Sequence, residues 1–273
     1  MSAPDRPPLD TDRLRAALLA PATQWRRLDV VDETGSTNAD LAARAAAGED
    51  IAGTALLAEH QTAGRGRHGR RWSAPPRSQI ALSVGVPVAG LPTDAWGWLP
   101  LLTGLAVVDA VREQCGVAAR LKWPNDVLVG GGKLAGILAE VTHPGPVIVV
   151  GLGLNVSLTS DEAPDPVATS LAMLGRDGVD RTELAIAVLR TLHARIGRWR
   201  AARGADAQLV ADYARASATI GTPVRAMLPG DAQIVGTATG VDASGRLLID
   251  DGTRTVTVAA GDITHLRPAA PDG

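Results

Sequence analysis

Residues Gly64-Arg65-Gly66-Arg67-His68-Gly69-Arg70-Arg71-Trp72 put four guanidinium groups and one imidazole between glycines. Guanidinium forks recognise phosphate and carboxylate through paired donors. Glycine lets the backbone approach a ligand closely and offer its N–H groups. Trp72 adds a flat surface on which a purine ring can stack. The segment also satisfies G-x-G-x-x-G, but a dinucleotide fingerprint must open a helix, and Trp72-Ser73-Ala74-Pro75-Pro76 cannot continue one. On its own the loop leaves open a basic surface segment or a generic RNA contact.

Three further segments carry polar groups at places where the chain must turn. Lys122-Trp123-Pro124-Asn125-Asp126 displays an ammonium, an amide and a carboxylate around a proline. Gly130-Gly131-Gly132-Lys133-Leu134-Ala135-Gly136 resembles a Walker A loop only in part: Leu134 stands where Ser or Thr must follow the lysine, and the first glycine is missing. It reads as a glycine hairpin feeding a strand that carries Lys133. Gly151-Leu152-Gly153-Leu154-Asn155 ends an apolar run with one amide, as a turn residue or a ligand contact would. Composition gives these segments weight. The chain has 25 Arg but only two Lys, Lys122 and Lys133, and three Asn, Asn38, Asn125 and Asn155. Where arginine is the default cation, a retained lysine points to a site that needs a compact ammonium.

The elements that must position these groups alternate between helical and extended patterns, as in an α/β or α+β domain. A short helix is expected near Thr11–Leu19, and another over Thr37–Ala47 with Ser36 as N-cap and Gly48 as stop. Strands are expected at Thr54–Glu59, Ile80–Val86, Arg120–Trp123, Val127–Val129, Leu134–Val141 and Val147–Val150. Leu101, Leu105, Val108, Val111 and Cys115 keep helical spacing up to Gly116. A long helix is expected over Arg181–Arg200, with Asp180 as cap and Glu183 in its first turn. From Gly221 the texture changes to short alternating runs joined by hairpin signals at Asp242–Gly245 and Asp251-Gly252. The expected division is a lead segment 1–30, a main domain 31–220 and a small β-domain 221–268, with Pro268–Gly273 disordered.

Composition excludes other classes. With 45% hydrophobic and 21% charged residues the chain builds an ordinary core. Its net charge of −2 argues against a wholesale nucleic-acid binder. The single cysteine, Cys115, suits a reducing cytoplasm. No signal peptide is read at the start, and apolar runs such as Leu99 to Val108 fall short of the roughly 20 residues that span a bilayer. The residues before Ser36 lack two helices with a reading face, so no DNA partner is expected.

Taken together and in order, Ser36-Thr37-Asn38, the Gln61 to Trp72 segment, Lys122 to Asp126 and Gly132 to Leu138 resemble the biotin protein ligase family over roughly residues 30–267. The resemblance implies an α+β fold: a mixed-sheet catalytic domain flanked by helices, related to lipoate ligases, with a small C-terminal SH3-like barrel. It implies ATP and biotin as substrates, Mg²⁺ held mainly by nucleotide phosphates with no protein metal site, and a biotin carboxyl carrier protein domain as partner. Within the superfamily, a lipoate or octanoate ligase or transferase is the nearest rival.

Residue roles follow from the same resemblance. Ser36, Thr37, Asn38 and Gln61 match contacts to the biotin ureido ring and its surroundings, and Gly136 lies in the same biotin-side set. Arg65, Gly66 and Arg67 match a loop that closes over biotin and its activated form, and Arg70 falls on the nucleotide side. Trp72 and Asn155 match adenine contacts. Lys133 matches the lysine that reaches the biotin carboxylate and α-phosphate. Lys122, Asn125 and Asp126 match contacts on the phosphate and acceptor-lysine side, with Asp126 either orienting or deprotonating the incoming amine.

Overall fold

The computed structural model describes residues 6–19, 25–204, 207–228, 232–259 and 262–265. The expected disorder of Pro268–Gly273 lies outside them. A seven-stranded mixed sheet forms the body, in the order β1-β2-β3-β7-β6-β5-β4. Its strands are β1 (Arg27–Thr34), β2 (Thr54–Gln61), β3 (Gln79–Pro87), β4 (Arg120–Lys122), β5 (Asp126–Val129), β6 (Gly132–Val141) and β7 (Val147–Asn155). Only β1 and β2 run parallel, joined through α2 (Thr37–Ala46); the other pairs are antiparallel.

Each local device in the sequence has its counterpart. Ser36 caps α2, its hydroxyl accepting the Ala39 N–H. Asp180 caps α4 (Arg181–Ala201) by accepting from Thr182 and Glu183. Gly116 ends α3 (Trp98–Cys115) in the left-handed region at φ 65°. Gly130 and Gly131, at φ 57° and 86°, make the two-residue turn between β5 and β6, whose ends pair Val129 with Gly132. Positive φ at both central positions suits a hairpin and not a helix-opening phosphate loop. The strand expected over Arg120–Trp123 stops at Lys122, because Trp123 turns away to bond elsewhere. Two elements went unread: β1, an edge strand in which only Leu28 is buried, and α5 (Ala207–Ala216), which buries only Leu209 and Tyr213.

The two faces of the sheet differ. On one, α3 and α4 pack against each other with α1 (Thr11–Leu18) and α5 beside them, and α3 is buried nearly all round. The expected stripe on α3 is therefore only part of its buried surface. On the other face α2 covers one part, with Leu41, Leu56 and Val149 in a small cluster, and leaves the rest open. The second sheet is antiparallel, in the order β11-β10-β9-β8-β12, built from β8 (Pro223–Met227), β9 (Gln233–Val241), β10 (Leu247–Asp250), β11 (Thr255–Val258) and β12 (Asp262–His265). It is consistent with an SH3-like domain. No helix among the described residues is long and apolar enough to cross a membrane.

The residues ahead of β1 are fastened by a buried ion pair. Arg181 Nη2 lies 2.7 Å from Glu59 Oε2, with both side chains almost fully buried. Arg181 also donates to the carbonyls of Gln79 and Pro7, and Glu59 accepts the Leu9 N–H. Removing one partner strands the other charge in a low-dielectric interior. Arg181→Leu is therefore expected to cost about 3–5 kcal/mol in urea unfolding. A loss under about 1 kcal/mol, the level of an exposed pair, would contradict this account.

Candidate functional site

Every residue to which the resemblance gave a role lines one cleft of about 780 Å³ on the open face of the large sheet, while His68 of the Arg loop does not. Its floor is set by residue size. Ala81, Gly153 and Gly136 stand side by side on β3, β7 and β6, and Ser83 and Gly151 form the next row. Alternate residues of a strand share a face, so glycine at both Gly151 and Gly153 clears a trough. Neighbouring side chains occupy it. A Cβ on Gly153 would lie 2.3 Å from the Trp72 indole, and one on Gly151 would lie 2.2 Å from Asn38 Oδ1.

At the α2 end the polar groups form a closed network. Gln61 Oε1 accepts the Thr37 N–H at 2.8 Å and lies 3.0 Å from its hydroxyl. Ser83 Oγ lies 2.6 Å from both Thr37 Oγ1 and Asn38 Oδ1. Asn38 Nδ2 donates to the Leu138 carbonyl and to Glu140 Oε2. Ser36, Thr37 and Asn38 are buried, so this end is preorganised rather than solvated.

Over the cleft, Gly64 to Trp72 folds back on itself. Gly66 N–H donates to the Arg70 carbonyl at 2.7 Å, Trp72 N–H to that of Gly64 at 2.9 Å, and Arg65 bridges Arg71. A single short turn at Arg67–Gly69, with His68 at φ 55°, replaces the helix that a dinucleotide fingerprint needs. Arg65 reaches Glu140 at 3.1 Å, and Arg67 Nη1 donates to Asn125 Oδ1 at 3.2 Å. Trp72 Nε1 donates to Gln79 Oε1 at 2.6 Å.

Lys133 lies under this loop. Its ammonium is 2.8 Å from Asp126 Oδ1 and 5.5 Å from the Trp72 ring centroid. Its backbone is fixed on both sides, N–H to Val167 O at 2.6 Å and C=O from Thr169 N–H at 2.9 Å. Asn125 accepts from Arg67 and donates to the Ile137 carbonyl. Asn155 donates to the Thr169 carbonyl and so secures the segment that pins Lys133. Among the described residues no three His, Cys, Asp or Glu side chains gather as a metal site.

The small sheet supports this turn from behind. Trp123 Nε1 donates to Gly245 O at 3.1 Å in the β9–β10 hairpin, and Trp98 Nε1 to Ala243 O at 2.7 Å. Trp123 N–H donates to Thr219 Oγ1 at 3.1 Å, and the same hydroxyl lies 3.0 Å from His265 Nε2. Met227 and Ile263 also line the cleft, and no signal in the residues anticipated this. Glu140 was missed, and Gly151 and Gly153 were noted without a role. Their signal was the every-second-residue spacing in strands already identified.

Burial, and then the nearby Lys122 ammonium, lower the His265 pKa from its usual 6.5. Below about pH 6.5 the unfolded chain binds a proton that folded His265 resists. Its contribution is full above that pH and is lost as pH falls through the lowered folded value. Wild-type protein should thus lose more stability than His265→Gln on acidification from about pH 7.5 to 5, read as urea midpoints. A difference between the two that stays constant with pH would contradict it.

Comparison with known proteins gives concordant results. Residues 34–157 match the model of the Biotin/lipoate A/B protein ligase family, and residues 219–266 that of the Biotin protein ligase C terminal domain. The chain is 56% identical to a biotin–[acetyl-CoA-carboxylase] ligase of Mycobacterium tuberculosis, covering 96% of this chain and 97% of that protein. The biotin protein ligase of Aquifex aeolicus, solved with biotin and ATP, superposes with a TM-score of 0.74 at 27% identity, covering 89% of this chain and all of that one. The Leishmania major enzyme, solved with biotinyl-5-AMP, gives 0.58 at 25% identity, over 89% of this chain and 99% of that one.

Proposed function

The chain belongs to the biotin protein ligase family, and on that premise we propose that it activates biotin with ATP and transfers it to a lysine of a carrier domain. The observation that carries this reading is convergence. Four segments far apart in sequence meet in one cleft, where an Arg-rich loop stands over Lys133 and the small-residue floor.

In the first step a biotin carboxylate oxygen attacks the α-phosphorus of ATP and pyrophosphate leaves. Two anions must approach each other, so cations are needed where charge accumulates. Lys133 supplies a compact ammonium at the reacting oxygens, and Arg65, Arg67 and Arg70 supply paired donors around them. The network of Ser36, Thr37, Asn38 and Gln61 receives the ureido ring, with Gly66 and Gly136 leaving room beside it. Trp72 packs on adenine, and Asn155 Oδ1 accepts from its amine. Mg²⁺ would enter mainly with the nucleotide and would supply charge neutralisation there. In the second step the carrier lysine amine attacks the anhydride carbonyl, AMP departs, and the amine loses a proton. Lys122 lies on the phosphate and acceptor side. Asp126, paired to Lys133 at 2.8 Å, orients that ammonium and stands near the path of the amine. Asn125 lies on the phosphate side of the cleft and also holds Arg67.

The partner is the biotin carboxyl carrier domain of a carboxylase, and the reaction takes place in the cytoplasm. The division at about residues 30 and 220 belongs to the same reading. The test is ATP–pyrophosphate exchange by purified protein. Exchange that depends on biotin is expected; dependence on lipoate instead would overturn the proposal. A filter-binding assay at low salt should show no retention of DNA or RNA, which removes the nucleic-acid alternative.

Two variants probe the roles. Lys133→Arg keeps the charge but spreads it over a planar fork, and adenylate formation should fall about 100-fold, measured in a single turnover. A wild-type rate would contradict the role. Gly153→Ala drives a methyl into the space of the Trp72 indole. It should raise the ATP KM by about tenfold and move that for biotin by less than about threefold. Equal changes for both substrates would contradict the placing of Trp72 on the nucleotide side.

A further inference from the structure

Glu140 belongs to none of the motifs that point to biotin chemistry, yet it holds two of them together. It lies on β6 opposite Val149, on the face that carries Gly136 and Leu138. One carboxylate oxygen, Oε2, accepts from Asn38 Nδ2 at 2.7 Å and from Arg65 Nη2 at 3.1 Å. The first donor belongs to the buried network at the α2 end of the cleft. The second stands at the start of the Arg loop. The Asn38 amide is only 4% exposed, and its other contacts, to Leu138 O and Ser83 Oγ, fix its orientation. Arg65 is about half exposed, and among the described residues its side chain pairs with Glu140 alone. A rigid group is thus joined to a mobile one through a single charged acceptor.

We propose that Glu140 is a positioning residue that ties the Arg65 end of the loop to the biotin-side network through Asn38, and so sets how long the activated intermediate is retained. This rests on the biotin-activating function above. Charge is what makes the tie selective. A carboxylate accepting from a guanidinium and an amide at once forms the stronger, charge-assisted type of hydrogen bond. Glutamine in its place still offers Asn38 an oxygen but no charge to Arg65. The biotin-side network then survives while the loop loses its anchor. A residue that merely supported the fold would not separate these two effects.

The experiment measures adenylate release from full-length protein loaded with biotin and ATP, chased with unlabelled adenylate, together with biotin affinity in the absence of ATP. Glu140→Gln should release the adenylate about tenfold faster, with biotin affinity changed less than about threefold. In an Arg65→Ala background, where the tie is already cut, adding Glu140→Gln should change release by less than about twofold. Glu140→Asp, too short to reach both donors, should also speed release and serves as the readout if the Gln variant does not fold. Wild-type release in the folded variants, or full additivity with Arg65→Ala, would overturn the proposal. Wild-type protein that forms no biotinyl adenylate would overturn the functional reading, and the role of Glu140 with it.

Discussion

The cleft is organised around one lysine ammonium, which the proposed reaction would set between two anions. Lys133 is fixed at its backbone by the Val167–Thr169 segment and at its side chain by Asp126 and the face of Trp72. Such a charge costs energy to place, and in the free protein Asp126 and the partial solvent access offset that cost. In the proposed reaction substrate oxygens would take over these donors without the backbone having to move. This preorganisation is what distinguishes electrostatic catalysis from the same charges free in water.

The remaining architecture places groups around that point without filling it. Glycine and alanine on β3, β6 and β7 keep the floor low enough for Trp72 and Asn38 to lie on it. The Arg loop closes from above and is attached at both flanks, by Arg65 to Glu140 and by Arg67 to Asn125. Behind the Lys122–Asp126 turn, the small sheet bonds both the indole and the backbone of Trp123, through Gly245 and through Thr219 with His265. The C-terminal sheet is therefore part of the frame of the cleft, since loosening it would free the turn that carries Lys122 and Asp126.

Much of this was legible in the residues. Gly116, Asp180 and Ser36 announced their helix ends because capping is local chemistry, and Gly130-Gly131 announced a hairpin for the same reason. The chemistry-bearing groups stood out through scarcity: both lysines of an arginine-rich chain, and all three asparagines, line the cleft or its edge. Non-local relations stayed hidden. The spacing of Glu140 cannot show that it will meet both Asn38 and Arg65, and nothing in Met227 or Ile263 points toward a distant turn. Gly151 and Gly153 could be seen, but their meaning depended on which neighbours the sheet order would bring. The edge strand β1 was missed because only Leu28 in it is buried, and α5 went unread as well.

Calorimetric titration tests the central claim most directly, using biotin first and then a non-hydrolysable biotinyl-adenylate analogue. If one cleft unites the biotin network, the Lys133 ammonium and the Trp72 surface, the analogue must bind with one-to-one stoichiometry. It must also bind at least about 100-fold more tightly than biotin, because it engages all three at once. Equal affinities, or an analogue that leaves a second biotin free to bind, would show that these elements do not form a single site.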